Sequence, residues 1–259
     1  MKVIQSIGFV GAGRVTRILL EGLRRQSALP PEVRVFDCHQ EPIQALQARV
    51  PEARSVQTAG EAAGAEVVFL AVHPPAMPDA AAGIKNSLTE NTVVVSLAPK
   101  WKLEKVTELL GGFNRVVRLI PNAPSLIGAG YNPVAFAAGL PAEERERVLS
   151  LLRPLGECPE VPENQLEAYA VVAAMGPTYF WFQWQVLREL AGDFGLSPDA
   201  ADAALRAMVN GALRTLLEAG LSPVEVMDLV PVKPLAELEA TISEGYRTRL
   251  TAIYQKIAG

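Results

Sequence analysis

The sequence predicts a doubly wound α/β domain followed by an all-helical one, and three observations predict it. Apolar runs of strand length alternate with helical patterns through the first half of the chain. The first run ends in a glycine turn, Gly11-Ala12-Gly13, with a helical pattern directly behind it. Past Glu163 the strand-like runs stop and everything reads as helix. Continuous apolar runs, rather than alternation, mark a parallel sheet covered on both faces, whose ligand crevice lies at the strand carboxyl ends.

In order, strands are expected at residues 3–10, 33–36, 67–72, 92–97 and 115–119, with weaker ones at 133–137 and 157–161. The first strand and turn form a dinucleotide fingerprint. Gly11 allows a tight turn, and Gly13 lets a pyrophosphate approach the backbone. The helix that starts there, with Ile18, Leu19, Leu20 and Leu23 as its apolar stripe, points unpaired N–H groups and a positive dipole end at the phosphates. Gly11, Ala12, Gly13, Arg14 and Val15 are therefore candidate cofactor-binding residues. The third small position holds Thr16 in place of Gly or Ala, so helix and strand are expected to pack slightly further apart.

The second strand ends at Asp37, about twenty residues past the glycines, where an acid receives the adenosine ribose hydroxyls. A carboxylate there repels a 2′-phosphate, and no Arg or Lys follows before Arg49. NAD is expected over NADP. Arg14 sits in the phosphate turn and could serve a 2′-phosphate from the other side, which keeps NADP possible.

The second half carries helix punctuation. Ser197-Pro198 is an N-cap with proline at the first helical position. Ser222, Pro223 and Glu225 add a capping box. Gly195 and Gly220 supply stops, and a last helix is expected over residues 235–257. The expected division is a dinucleotide-binding Rossmann domain over residues 1–160 and a helical dimerisation and substrate domain over 161–259. The helical half is rich in Ala, Val, Leu and aromatics and would expose a large apolar patch as a monomer, so a homodimer core is expected. Residues 168–187 carry no charge and are long enough to span a bilayer. The Gly176, Pro177, Thr178, Gln183 and Gln185 among them favour a helix buried in a bundle or dimer core.

Composition excludes several functions. Lys and Arg number 24 against 28 Asp and Glu, a net charge of −4. They are scattered, which gives no electrostatic case for nucleic acid or an anionic membrane. The two cysteines, Cys38 and Cys158, make neither a metal spacing nor a disulfide framework, and a reducing cytoplasm is expected. With His39 and His73 as the only histidines, no histidine-rich metal site is expected. The N-terminus runs directly into a strand, so no signal peptide is expected.

Motifs further along narrow the reading. Ala71, Val72, His73 and Pro74 close one strand, and Val95, Ser96, Leu97 and Ala98 close the next. Arg118, Pro121, Asn122, Pro124, Gly128 and Gly130 follow the strand after that. Then come Gly176-Pro177-Thr178-Tyr179 and Val209-Asn210-Gly211-Ala212. Together these resemble the pyrroline-5-carboxylate reductase family, from about residue 7 to residue 245. The resemblance implies that Val72, His73 and Pro74 line the nicotinamide-ribose side and that Asn122 sits beside the nicotinamide. It also implies a homodimer whose interlocked helical domains complete each active site.

The chain departs from that family at four places. His73 stands where the family usually has Lys. Ala98-Pro99-Lys100 replaces Ala-Gly, and Ala173-Ala174-Met175-Gly176 replaces a serine- and glycine-rich turn. Leu229-Val230-Pro231-Val232-Lys233-Pro234-Leu235 replaces Pro-Gly-Gly-Thr-Thr, whose amides and Thr hydroxyl hold the substrate carboxylate and ring nitrogen. Proline also removes two backbone donors there. Buried polar groups left unpaired cost about 1–3 kcal/mol each. The expected activity is therefore an NAD(P)-dependent oxidoreductase passing hydride to the C=N bond of a small cyclic imine other than pyrroline-5-carboxylate. Candidate catalytic residues are Thr178, which donates a hydrogen bond without ionising, Tyr179, which would need a lowered pKa to act as a general acid, and Lys233, which could pair with a substrate anion. Two alternatives stand beside this. One is a dinucleotide-binding sensor or partner protein without catalysis. The other is a 3-hydroxyacid-type dehydrogenase, which the lack of any Lys in residues 164–187 disfavours.

Overall fold

The structure is a computed structural model that describes residues 3–259. It forms two compact units, one of residues up to Met175 together with Ile253–Gly259, the other Gly176–Ala252. The first unit is built on a seven-stranded sheet. Its strands are β1 (Ser6–Val10), β2 (Glu32–Phe36), β3 (Ala53–Ser55), β4 (Val67–Leu70), β5 (Val93–Ser96), β6 (Val116–Leu119) and, after the short β7 (Gly130–Tyr131), β8 (Val134–Phe136). Their order is β3-β2-β1-β4-β5-β6-β8. β7 pairs instead with β9 (Gly156–Glu157).

The sheet differs from expectation at its edges. β8 runs antiparallel to β6, the link between them carrying a 3-10 turn and β7 in place of a crossover helix. β3 was not expected: its three residues include the exposed Arg54 and make no apolar run. Of the weak strand expected at 157–161, Glu157 belongs to β9 and Glu160 makes an isolated bridge to Val134.

The core explains the apolar runs. Phe9 and Phe69 are register partners on β1 and β4, and their rings stack at 4.5 Å. One face of the sheet is covered by Leu19, Leu20 and Leu23 of α1 (Arg14–Arg25) and by Ile43 and Leu46 of α2 (Gln40–Gln47). The other face is covered by α3 (Ala59–Ala63), α4 (Met77–Ile84) and α5 (Leu103–Leu109) through Ala62, Met77, Ile84 and Val106. α3 lies so close that a Cβ on Gly8 would stand 2.0 Å from the Ala62 carbonyl oxygen. After α6 (Ala142–Leu152), the short α7 (Leu166–Tyr169) runs into a π-helical turn at Ala170–Ala174.

Residues 161–175 stay with the sheet rather than with the helices that follow. Leu166, Ala170 and Val171 are buried there, and an electrostatic clamp adds to that packing. Arg118 on β6 is 1% exposed and donates to Glu163 at 3.0 Å and Glu167 at 2.5 Å. An unpaired guanidinium at that depth would cost several kcal/mol, so the segment bearing both carboxylates is held there.

The second unit is helical: α8 (Pro177–Asp193), α9 (Pro198–Glu218), α10 (Pro223–Asp228) and the greater part of α11 (Ala236–Ala258). The caps read from the sequence are in place. The Ser197 hydroxyl accepts from the Ala200 amide, and Ser222 and Glu225 form a reciprocal capping box. Burial does not follow. Among the described residues of this unit, Ala201 is the one buried hydrophobic side chain. Phe180, Trp181 and Phe182, expected in a buried helix, are exposed within the single chain. Among the described residues no helix is long and apolar enough to cross a membrane.

Candidate dinucleotide site

The carboxyl ends of β1, β2 and β4 open onto a crevice of about 810 Å³. It brings together Gly11, Gly13, Asp37, Val72 and His73, five of the residues expected to hold a cofactor. Gly11 has φ +107°, and a Cβ there would meet the Ala71 carbonyl oxygen at 2.5 Å, so the turn admits only glycine. Gly13 is different. A Cβ there would meet nothing within 4 Å, which leaves open space directly at the amino end of α1. No acidic side chain occupies the first turn of α1 to compete with a phosphate. Arg14 and Val15 are exposed on that turn, and Ala12, Gly13, Arg14 and Arg17 line a smaller hollow beside it.

Thr16 is fully buried, and its hydroxyl donates to the Gly11 carbonyl at 2.6 Å. The larger third residue thus satisfies its polar atom by bracing the turn from beneath. Asp37 reaches back from the end of β2. Its Oδ2 accepts from the Ala12 amide at 2.7 Å and its Oδ1 from the His39 amide at 2.9 Å. A carboxylate offers about four acceptor positions. Three are used here, the third by the Cys38 thiol, which donates to Oδ1 at 3.7 Å, and one remains for a ribose hydroxyl. Cys38, His39, Gln57 and Thr58 also line this end and were not singled out in the sequence. Their signal was only proximity to Asp37 and to the end of β3.

The other candidates lie further along the sheet edge or outside it. His73 caps a 3-10 turn, Pro74–Ala76, and its carbonyl accepts from Ala76 at 2.9 Å. Pro74 accepts at its carbonyl from the Trp101 indole at 3.0 Å. Asn122 caps the turn Ala123–Ile127 and is 9% exposed. Its Oδ1 accepts from Tyr131 N–H at 3.1 Å and its Nδ2 donates to the Ala173 carbonyl at 3.5 Å, so much of the carboxamide is spent on bracing the loop.

Thr178, Tyr179 and Lys233 belong to the second unit. Thr178 is exposed in the first turn of α8. Tyr179 packs edge-on against Tyr246 at 5.7 Å, and burial, with Tyr246 as a lesser cause, raises its hydroxyl above the ordinary tyrosine range. Lys233 is exposed between α10 and α11, its carbonyl accepting from Ala236 at 3.2 Å. A further cavity of about 460 Å³ is lined by Val3, Ser27 and Arg147. It is a poor rival, because Arg147 is already paired with Glu66 and Glu144.

A sheet of this order with a glycine turn, an open helix amino end and a strand-end acid defines a dinucleotide-binding protein of the two-domain oxidoreductase class. Residues 6–100 match the family described as NADP oxidoreductase coenzyme F420-dependent. Pyrroline-5-carboxylate reductase of Corynebacterium melassecola is 29% identical over 224 residues, covering 85% of this chain and 83% of that protein. The Escherichia coli enzyme is 28% identical over 229 residues, covering 87% and 84%. Among solved structures, the Plasmodium falciparum pyrroline carboxylate reductase with NADP bound matches at TM-score 0.79 and 17% identity, over 100% of this chain and 97% of that one. The Coxiella burnetii pyrroline-5-carboxylate reductase matches at TM-score 0.68 and 25% identity, over 99% and 95%. The chain is thus similar, over most of its length, to pyrroline-5-carboxylate reductases.

Proposed function

We propose that this protein is an NAD(P)-dependent reductase of the C=N bond of a small cyclic imine, with NADH as its preferred reductant and a substrate other than pyrroline-5-carboxylate. The observation that carries the cofactor is the pairing of Gly13, whose missing Cβ leaves open space, with the strand-end Asp37 in one crevice. The amino end of α1 would hold the phosphates, and Asp37 would accept from the adenosine ribose on its remaining acceptor position. A 2′-phosphate there would face a carboxylate with no donor to offer.

In the reaction a hydride carrying two electrons reaches the imine carbon, the C=N π pair moves onto nitrogen, and a proton taken up there completes the amine. The reduced nicotinamide supplies the hydride when bound. The chain's own residues orient and hold. Val72, His73 and Pro74 would line the nicotinamide-ribose side, and Asn122 would hold the nicotinamide with its second amide N–H. Thr178 and Tyr179 of the second unit are the residues we assign as hydrogen-bond partners of the imine nitrogen. The raised Tyr179 hydroxyl stays protonated near neutrality, which suits a hydrogen-bond donor better than a general acid. Lys233 is the cation that the helical unit offers in the altered loop.

The altered loop supports the substrate reading. Residues 229–235 have no glycine or hydroxyl to replace the amides and Thr that the family uses. The exposed hydrophobic helices support a homodimer formed through the second unit. Titration with NADH and NADPH, followed by turnover with pyrroline-5-carboxylate and a panel of other cyclic imines, tests all of this. We expect tighter NADH binding, turnover of another imine, and little turnover of pyrroline-5-carboxylate. Asp37→Ser should bring the NADPH to NADH affinity ratio up by about tenfold, or roughly 1.4 kcal/mol. An unmoved ratio would remove Asp37 from the site.

A further inference from the structure

Lys100 has φ +73°, and apart from Ser27 it is the only non-glycine with positive φ among the described residues. Such a conformation persists where surrounding structure enforces it, and a lysine held there in place of glycine asks what its ammonium does. The enforcement is visible. The Lys100 amide donates to Glu167 at 3.4 Å, and the Leu103 amide donates to Glu163 at 2.6 Å. Both carboxylates are held by the buried Arg118. Between them, the Trp101 indole donates to the Pro74 carbonyl at 3.0 Å. Loop 98–102 is thus clamped on one side to β6 through the two glutamates and on the other to the turn that follows β4.

The position is as telling as the strain. β5 lies between β4 and β6, with Ser96 in register with Leu70 and Arg118. The loop that leaves β5 is therefore flanked by the loop of Val72, His73 and Pro74 and by the loop of Asn122. Lys100 is exposed there and has no ion-pair partner among the described residues. Its neighbours spend their charges on one another, whereas its ammonium is left available.

We infer that Lys100 is an anion-binding residue of this protein, holding the carboxylate of an acidic imine other than pyrroline-5-carboxylate. This rests on the imine-reductase reading for the substrate's second half, though not for the anion. It assigns to the first unit, on a rigid clamp, an anion-recognising cation additional to Lys233 of the altered loop at 229–235. The strained backbone is the cost of placing a cation where glycine would be relaxed.

The test is calorimetric titration of the whole protein, with and without NADH, using cyclopentanecarboxylate as a non-reacting probe and cyclopentanol as its neutral counterpart. The carboxylate should bind more tightly than the alcohol. Lys100→Met and Lys100→Gly should each weaken carboxylate binding by about tenfold or more, Lys100→Arg should largely restore it, and Lys105→Met, at an exposed lysine paired with Glu108, should leave it unchanged. Lys100→Gly should also raise Tm by about 2–4 °C as the left-handed strain is relieved, so lost binding cannot be ascribed to unfolding. Absence of carboxylate binding by the parent protein overturns the inference, as does undiminished binding by Lys100→Met. Carboxylate binding that depends on Lys100, with no imine reduced, would leave the anion site standing and sink the reductase reading instead.

Discussion

In the first unit Ile7, Phe9, Leu20 and Phe69 are at most 1% exposed, whereas in the second Phe182 is 65% and Leu217 72% exposed. The contrast is one of closure. A parallel sheet with helices on both faces buries its apolar runs within one chain, because each crossover returns a helix to the sheet. The helices of the second unit carry comparable side chains with sound caps and good turn chemistry, yet those side chains remain open to solvent. Exposed apolar area on that scale marks an association surface. The caps fix where the helices begin and end; in the proposed homodimer a second copy would supply what they pack against. The largest effect is therefore expected from charge placed on the open face. Phe182→Glu or Leu217→Glu should weaken dimerisation by about 4 kcal/mol or more, since a buried unpaired charge is among the costliest substitutions. Sedimentation equilibrium should show monomers, with the first unit still binding NADH. A stable dimer from both variants would show that this face is not the interface.

Within the first unit, two glycines two residues apart sharpen the same contrast between closed packing and open surface. Gly11→Ala forces a side chain onto the Ala71 carbonyl at a positive φ, and should destabilise by roughly 1–3 kcal/mol as well as abolish NADH binding. Gly13→Ala places its methyl in open space, so stability should change by no more than about 0.5 kcal/mol. NADH affinity should nevertheless fall about tenfold, because the methyl stands where the pyrophosphate approaches. Denaturant titration and NADH fluorescence separate the two. Equal behaviour of the two variants would contradict the division of labour between turn and phosphate cradle.

Legibility in the sequence divides along the same line. The strands were readable because a run such as Val67–Leu70 is apolar at every position, and the cap at Ser222 because its chemistry lies within four residues. β3 and the reversal at β8 were not, since short edge strands are specified by pairing rather than by pattern. The crevice was half readable. Gly11, Gly13 and Asp37 sit at spacings set by the motif itself. The clamp of Arg118, Glu163 and Glu167 joins residues about 45–49 apart in the chain, and no local signal marks it. The same clamp, added to the burial of Leu166, Ala170 and Val171, is why the compact unit runs on to Met175 although the secondary structure changes near residue 160. Lys100 read as an ordinary substitution for glycine, and its backbone conformation is what gives it meaning.

The smallest effect expected concerns the two thiols, one in the open crevice and one in closed packing. Cys38 is exposed and lines the crevice beside Asp37. Cys158 packs against the core, and its burial pushes the thiol up to about 11, offset in part by Asn132 and Arg153. At pH 8 its thiolate fraction is then about a thousandth, and the thiolate is the reactive form. A disulfide reagent should therefore label Cys38 first and Cys158 only slowly. Saturating NADH should slow the first phase several-fold by covering Cys38 and leave the second phase unchanged, since Cys158 lies outside the crevice lining. Quantifying each phase by mass spectrometry distinguishes the sites. Labelling of Cys38 at the same rate with and without NADH would place the adenosine end of the cofactor away from Asp37 and remove the basis of the proposed NADH preference.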